Sequence, residues 1–209
     1  MHRRTRARVA PAALSLAAGV LLGLAGPVTG TWGNPVCSAV SITFSSGWPW
    51  ACYAFLVGCF RRSKVESIVL SALGLTVGVA AYYLAKKASP SVPGGGWEHG
   101  AAGTGQALVW VAAAFVLGAP VGFLGNVART PGIGGLPFRL LVPLIACFEA
   151  TERLGTEARA QGTAFSVTWN VTRVAAVVCA AVLVGHTVWS WWTRRSRGEE
   201  GVDAGMPGK

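Results

Sequence analysis

Charge, and negative charge above all, is what this sequence has least of. Asp and Glu together number 8 in 209 residues, and charged residues make up only 12%, where an ordinary soluble domain carries about a quarter. The single aspartate is Asp203, near the C-terminal end, which excludes aspartate-rich diphosphate sites and aspartyl intramembrane catalysis. The patterns H-E-x-x-H, G-x-S-x-G and G-x-x-x-x-G-K-[ST] are also absent, so the common metalloprotease, serine-hydrolase and P-loop chemistries have no residues to use. Neither an enzymatic activity nor a bound cofactor or metal is expected. The five cysteines, Cys37, Cys52, Cys59, Cys147 and Cys179, form no C-x-x-C pair, and four lie in or beside apolar runs, where cysteine behaves as a small hydrophobe. A Cys37 to Cys52 disulfide is the pairing considered; redox chemistry is not expected.

Apolar residues take the place of charge, at 52% of the chain with a mean hydropathy of +0.49. Six apolar runs stand out, at residues 9–28, 40–60, 65–85, 106–127, 137–154 and 166–192. Each is about the length that crosses a hydrocarbon core of roughly 30 Å as a helix. The runs are continuous rather than alternating and rich in alanine and leucine, which favours helices over a membrane β-barrel. The expected fold is therefore all-α: a polytopic integral membrane bundle of six transmembrane helices over 9–193, with a basic tail at 1–8 and a disordered tail at 194–209.

Basic residues set the expected orientation. Six spans place Arg3, Arg4, Arg6, Arg8, Arg61, Arg62, Lys64, Arg129, Arg139, Arg194, Arg195, Arg197 and Lys209 on one side, against Lys86, Lys87, Arg153 and Arg159 on the other. The positive-inside rule makes the first side cytoplasmic, with both termini inside and the plasma membrane as the location. The net charge of +10 follows from this topology, so no nucleic-acid partner is needed to explain it. Trp189, Trp191 and Trp192, just ahead of the last arginines, read as an aromatic belt at the inner surface. The first run also has the basic start of a signal peptide, although it is long for one and lacks a clean A-x-A site.

Small residues recur at four-residue spacing: Gly19 and Gly23, Ala54 and Gly58, Gly74 and Gly78, Gly118 and Gly122. In lipid such spacing lays a flat stripe along one helix face, where backbones approach closely. The stripes predict a compact bundle and offer faces for a second copy or another membrane protein. The segments "AAGVLLG" at 17–23 and "AAAFVLG" at 112–118 open the two three-helix halves, a similarity that an alanine- and glycine-rich chain also produces by chance.

The segments "SSGWPWACYAFLVG", "GLTVGVAAYYLA" and "WVAAAFVLGAPVGFLG", with the late acidic residue of "LLVPLIACFEATERL", resemble a family of small six-helix membrane proteins of unknown function from high-GC Gram-positive bacteria. The resemblance covers about residues 10–192 and implies a fold, with no activity to carry over. Size and helix count are also similar to the substrate-capture subunits of energy-coupling-factor vitamin transporters, without a motif that transfers a binding residue.

Ionisable groups at mid-membrane cost roughly 2.5–3.5 kcal/mol on insertion scales and call for partners. Glu149 lies ten residues past Arg139, about 15 Å along the helix, with Glu152 and Arg153 one turn further out. Asn170 and Arg173 lie early in the last span. If the fifth and sixth spans are antiparallel neighbours, Glu149 and Glu152 can both reach Arg173, predicting an ion pair that serves as a structural clamp or as the wall of a polar cavity. His186 is expected to be a hydrogen-bonded packing histidine.

The second run contains "SSGWPW" at 45–50. Ser46 is about 22 Å of helix from Arg61, below the outer edge of the hydrocarbon core, so an irregularity there lies inside the membrane. Serine is a good N-cap, and proline is tolerated in a first turn but disfavours helix at the residue before it. Ser45 or Ser46 is thus expected to start a helix running to Phe60. Ser45, Ser46 and Trp48 mark either a kinked start anchored by tryptophans or a broken helix whose N-terminus binds a polar or anionic ligand. Two functions follow: a solute-binding or transport component using these groups, or a non-catalytic accessory protein that packs against partner helices.

Overall fold

The computed structural model describes residues 2–88 and 101–203. Among them the chain is helical throughout: α1 His2–Gly30, α2 Pro35–Phe44, α3 Gly47–Phe60, α4 Lys64–Ala88, α5 Ala101–Val127, α6 Leu136–Thr156 and α7 Ala158–Asp203, with a 3-10 turn at Ile133–Gly135 ahead of α6. Five helices are long and apolar enough to cross a membrane, over Pro11–Gly30, Lys64–Ala88, Thr104–Val127, Ile133–Thr156 and Gln161–Thr193. The protein is a multi-pass membrane helical bundle.

The remaining apolar run is divided between α2 and α3. Ser41 of α2 donates to Gly26 O near the end of α1 (2.9 Å), Tyr53 of α3 donates to Ser15 O (2.6 Å), and Arg61 reaches Pro11 O and Ser15 Oγ. The two short helices therefore descend α1 in sequence, as two segments of one antiparallel pass.

The helix of α7 runs on through Asp203, past the apolar span that ends at Thr193, and α1 begins at His2, ahead of the apolar span that starts at Pro11. Once a helix is nucleated, each further residue adds a bond, and both flanks contain good helix formers such as arginine. The rest of the expected C-terminal tail, 204–209, lies outside the described residues, as does most of the glycine-rich segment after Lys87. Gly162, at φ 82°, bends α7 near its start, a left-handed conformation that glycine adopts without steric cost.

The bundle is packed on small residues. Gly19 and Gly23 of α1 lie against Gly74 and Gly78 of α4, Gly58 of α3 against Gly122 of α5, and Gly118 against Ala72 of α4. A Cβ on Gly78 would stand 2.6 Å from Gly19 O, and one on Gly118 would stand 2.9 Å from Ala72 Cα. The stripes expected to face a partner through Gly19, Gly23, Gly74, Gly78, Gly118 and Gly122 are thus occupied within the chain. Large apolar side chains such as Leu21, Phe115, Phe148 and Val171 face outward instead, as expected where lipid is as apolar as the core.

Hydroxyls tie the close contacts together. Ser67 and Ser71 of α4 are fully buried; Ser71 donates to Ala54 O at 2.9 Å, and Ser67 Oγ lies 3.3 Å from Gly58 O. At the end bearing Arg61, Asn126 donates to Arg61 O (2.6 Å) and Ser67 Oγ (3.1 Å), Arg129 donates to Arg61 O (2.8 Å), and Arg139 donates to Ala128 O (2.9 Å) and Thr130 O (3.1 Å). These side chains satisfy carbonyls released where α3 and α5 end. Replacing Asn126 with leucine removes both bonds and leaves Arg61 O with Arg129 alone. An expected loss of about 1–2 kcal/mol is measurable by denaturant unfolding in detergent, and an unchanged midpoint would show that Asn126 holds nothing.

Candidate functional site

The break in the second pass is where the backbone departs from helix inside the bundle, so each free polar group there needs a partner. α2 starts conventionally: Asn34 Oδ1 accepts from Val36 N at 2.8 Å, with Pro35 in the first turn. It ends at Ser45. Ser46 is extended, at φ −94° and ψ 167°, and is the N-cap of α3 by backbone geometry.

The Ser46 side chain does not cap α3. Its hydroxyl turns back and donates to Thr43 O at 2.5 Å, satisfying a carbonyl at the end of α2, while Trp50 Nε1 donates to Phe44 O at 3.2 Å. The N-terminus of α3 is closed instead by Glu149 from α6. Glu149 Oε1 accepts from Gly47 N at 2.9 Å, and Oε2 accepts from Trp48 N at 2.8 Å. A carboxylate here satisfies two unpaired donors and faces the positive end of the helix dipole. Ser46 therefore starts the helix that runs to Phe60, as expected, but its side chain serves the helix that ends, and the capping bonds come from Glu149.

The two groups of residues singled out in the sequence therefore meet, through Glu149 and Trp48. α3 contains 14 residues, about 21 Å of helix, so the cap lies short of the far face of a roughly 30 Å core. Ser45 and Gly47 are exposed, Ser46 is buried and Trp48 is half-buried, so the break opens to the surface along one side.

The expected ion pairs with Arg173 are corrected. Glu149 faces Arg153 on its own helix at 4.0 Å, and Arg153 contacts Glu157 at 2.5 Å. Arg173 is exposed and donates to Asn170 Oδ1 at 3.1 Å, and Glu152 is exposed with no ion pair among the described residues. Residues 146 and 150 form the buried face of α6. At 100° per residue Glu152 lies on the opposite face, and Glu149 turns toward α3. His186, expected to be a packing residue, is exposed on α7. The cysteines considered for a disulfide, Cys37 and Cys52, are both free.

Beside Glu149 lies an apolar cluster of Ala150, Phe165 and Trp169, with Ile42, Trp48 and Leu154 packed against it. Phe165 and Trp169 meet edge to face at 6.0 Å between centroids, and the Arg153 guanidinium lies 6.0 Å from the Trp169 ring centre. Two indole donors in this cluster, Trp48 Nε1 and Trp169 Nε1, are buried without a hydrogen-bond partner. Buried indole N–H groups usually find an acceptor. Around the break, then, are two amides held by Glu149, one arginine shared between two glutamates, and two indoles without acceptors. Every one of these groups is a donor. Trp169 was not singled out in the sequence. Its position four residues after Phe165 was the available signal, and it reads as ordinary helix packing. Comparison of the chain with protein-family models, curated proteins and solved structures finds no match.

Proposed function

We propose that this protein is a small-solute binding or transport component of the plasma membrane, with both termini cytoplasmic, and that its site is the break between α2 and α3. The observation that carries the reading is the cap on α3, supplied by Glu149 from a different span. An internal carboxylate occupying a helix N-terminus beside an arginine is the arrangement a small anion would use. If Glu149 swings away, Gly47 N, Trp48 N and Arg153 become available, and the two indoles supply further donors. The solute class that fits is a small organic anion, with an aromatic or aliphatic body lying against Trp48, Phe165 and Trp169. The prominence of arginines at the Arg61 end supports a cytoplasmic placement for that end.

The test is heat unfolding of the purified full chain in mild detergent, titrated with acetate, benzoate and inorganic phosphate. The expected result is a saturable rise in Tm with one of these anions, larger in Glu149→Gln, where the competing charge is gone, and absent in Arg153→Leu. If no anion shifts either the unsubstituted protein or Glu149→Gln, the solute reading fails. The second reading, a non-catalytic accessory protein, would then stand. It is favoured by the exposed face of α7, because the glycines once expected to serve it lie inside the bundle.

A further inference from the structure

Charge at the Arg61 end of the bundle is one-sided. Arg61 reaches Pro11 O and Ser15 Oγ, so the start of α1 lies at this end. α3 and α5 finish there, α4 and α6 begin there, and α7, folded back along α6 and touching the 3-10 turn, ends there. The described cations of this layer are Arg61, Arg62, Lys64, Arg129 and Arg139, and its one described carboxylate is Glu66. None of these side chains forms an ion pair among the described residues. The flanks at 1–10 and 194–203 add seven arginines and three acidic residues by sequence. Cations at this end then outnumber acids twelve to four, so pairing within the chain leaves most of them uncompensated, whichever pairs form.

Two of these guanidiniums are fixed to the turn between α5 and α6. Arg139 Nε and Nη2 donate to Ala128 O (2.9 Å) and Thr130 O (3.1 Å), the carbonyls on either side of Arg129. Arg129 Nη1 donates to Arg61 O at 2.8 Å, the carbonyl joined directly to the nitrogen of Arg62. Each guanidinium is pinned to backbone by part of its fork of N–H donors and keeps others, which lowers the ordering cost of binding a ligand. A carbonyl accepts a bond without cancelling a full charge. Arg62 and Arg129 are exposed and Arg139 is half-buried, so the turn holds positive charge at the surface.

The level of the turn selects the ligand. One apolar span ends at Val127, the next starts at Ile133, and that of α4 starts at Lys64. Arg62 and Arg129 therefore stand at span ends, where lipid headgroups lie, and Arg139 reaches back to the same level. Phe60 and Ile133, next to these arginines in the chain, are exposed large apolar side chains. Acyl chains cover such surface, whereas a soluble ion leaves it bare.

We infer that the α5–α6 turn binds the phosphate of an anionic membrane lipid, with Arg129 and Arg139 as its donors and Arg62 adding charge beside them. Arginine forks suit phosphate oxygens, and bonds between two charged groups are the strong ones. Basic pockets between spans are a recurrent setting for anionic headgroups. A zwitterionic lipid carries the same phosphate with its own ammonium attached, so it leaves the excess positive charge of this end uncompensated.

The test uses the full chain in mild detergent, with phosphatidylglycerol or phosphatidylcholine added at equal concentration. Native mass spectrometry counts the lipid retained, and heat unfolding reads the stabilisation that binding confers. Phosphatidylglycerol is expected to be retained about tenfold more than phosphatidylcholine and to raise Tm saturably. Arg129→Gln and Arg62→Gln are each expected to weaken its retention about fivefold. Arg62 is exposed and makes no hydrogen bond or ion pair among the described residues, so Arg62→Gln keeps the test decisive if Arg129→Gln fails to fold. Replacing Arg194 and Arg195 together with glutamine removes two charges from the same end and is expected to leave retention largely unchanged. Equal retention of the two lipids overturns the proposal. So does a loss in the Arg194 and Arg195 variant as large as that in Arg129→Gln and Arg62→Gln, which would mean diffuse attraction rather than a site. Displacement of phosphatidylglycerol by inorganic phosphate at the same concentration also overturns it, in favour of a soluble phosphate.

Discussion

Replacing Gly122 with leucine is expected to prevent the bundle from assembling. A Cβ at this position would stand 2.5 Å from Ser71 Cβ and 2.7 Å from Ser67 O, and neither atom is the free end of a flexible side chain. Ser67 and Ser71 are themselves fully buried and bonded to α3, so α4 cannot yield without releasing α3. Overpacking a core usually costs about 1–3 kcal/mol. Here backbone must move against backbone at a junction of three helices, and the expected loss is more than about 4 kcal/mol, enough to unfold a marginally stable protein. Gly105→Leu in the same helix is the control, because nothing lies within 4 Å of a Cβ there. The measurement is the yield of monodisperse protein in detergent, followed by the unfolding midpoint. A Gly122→Leu protein that purifies normally and melts within a few degrees of the unsubstituted chain would mean that α3, α4 and α5 do not meet as described.

The second large effect is expected at Glu149. Substitution by alanine leaves Gly47 N and Trp48 N without acceptors at a helix start that lies within the depth of the hydrocarbon core, where lipid offers nothing to replace the carboxylate. Bonds to a charged acceptor contribute about 1.5–3 kcal/mol each, and orphaned donors add a similar penalty. Local opening at the break makes the net loss smaller than that sum, about 3 kcal/mol. Hydrogen exchange at Gly47 and Trp48 reads the effect directly, with a rise of roughly a hundredfold, the factor that corresponds to about 3 kcal/mol. Amides in the middle of α3 should change much less. Glu149→Gln offers one good acceptor oxygen in place of two and should fall between the alanine variant and the unsubstituted protein. Equal exchange in all three proteins would show that the carboxylate is not the cap.

These two experiments address different forces. The glycine contacts show that α1, α3, α4 and α5 are held together by close backbone approach and by serine hydroxyls, beside apolar clusters built on Leu75 and on Phe165 and Trp169. The Glu149 cap shows how an interrupted pass is made tolerable in a membrane. Thr43 O, Phe44 O, Gly47 N and Trp48 N each have a partner, and the partners come from three separate side chains. A break satisfied in this way is stable while closed, yet a competing anion for these donors would displace Glu149. That is the physical basis for the proposed solute site.

What the sequence determined by itself was whatever depends on residues close together along the chain. Twenty apolar residues in a row are enough to cross a bilayer as helix, so the spans could be counted without a structure. Glycine and proline beside two serines mark an irregular backbone, so the interruption at 45–50 was legible. The four-residue glycine spacing announced close packing, since spacing fixes the face of a helix. It did not say against which helix, and the partners proved to be internal. Tertiary structure alone decided the pairing of charges. Glu149, Glu152 and Arg173 are near enough in sequence and span order to suggest one cluster, yet a few residues of separation rotate them to different faces. Glu149 turns to a helix start about a hundred positions away, and Glu152 and Arg173 turn outward. Hydropathy accumulates residue by residue along the chain, whereas hydrogen bonds and ion pairs depend on distance and direction between helices, which are fixed only when the helices pack.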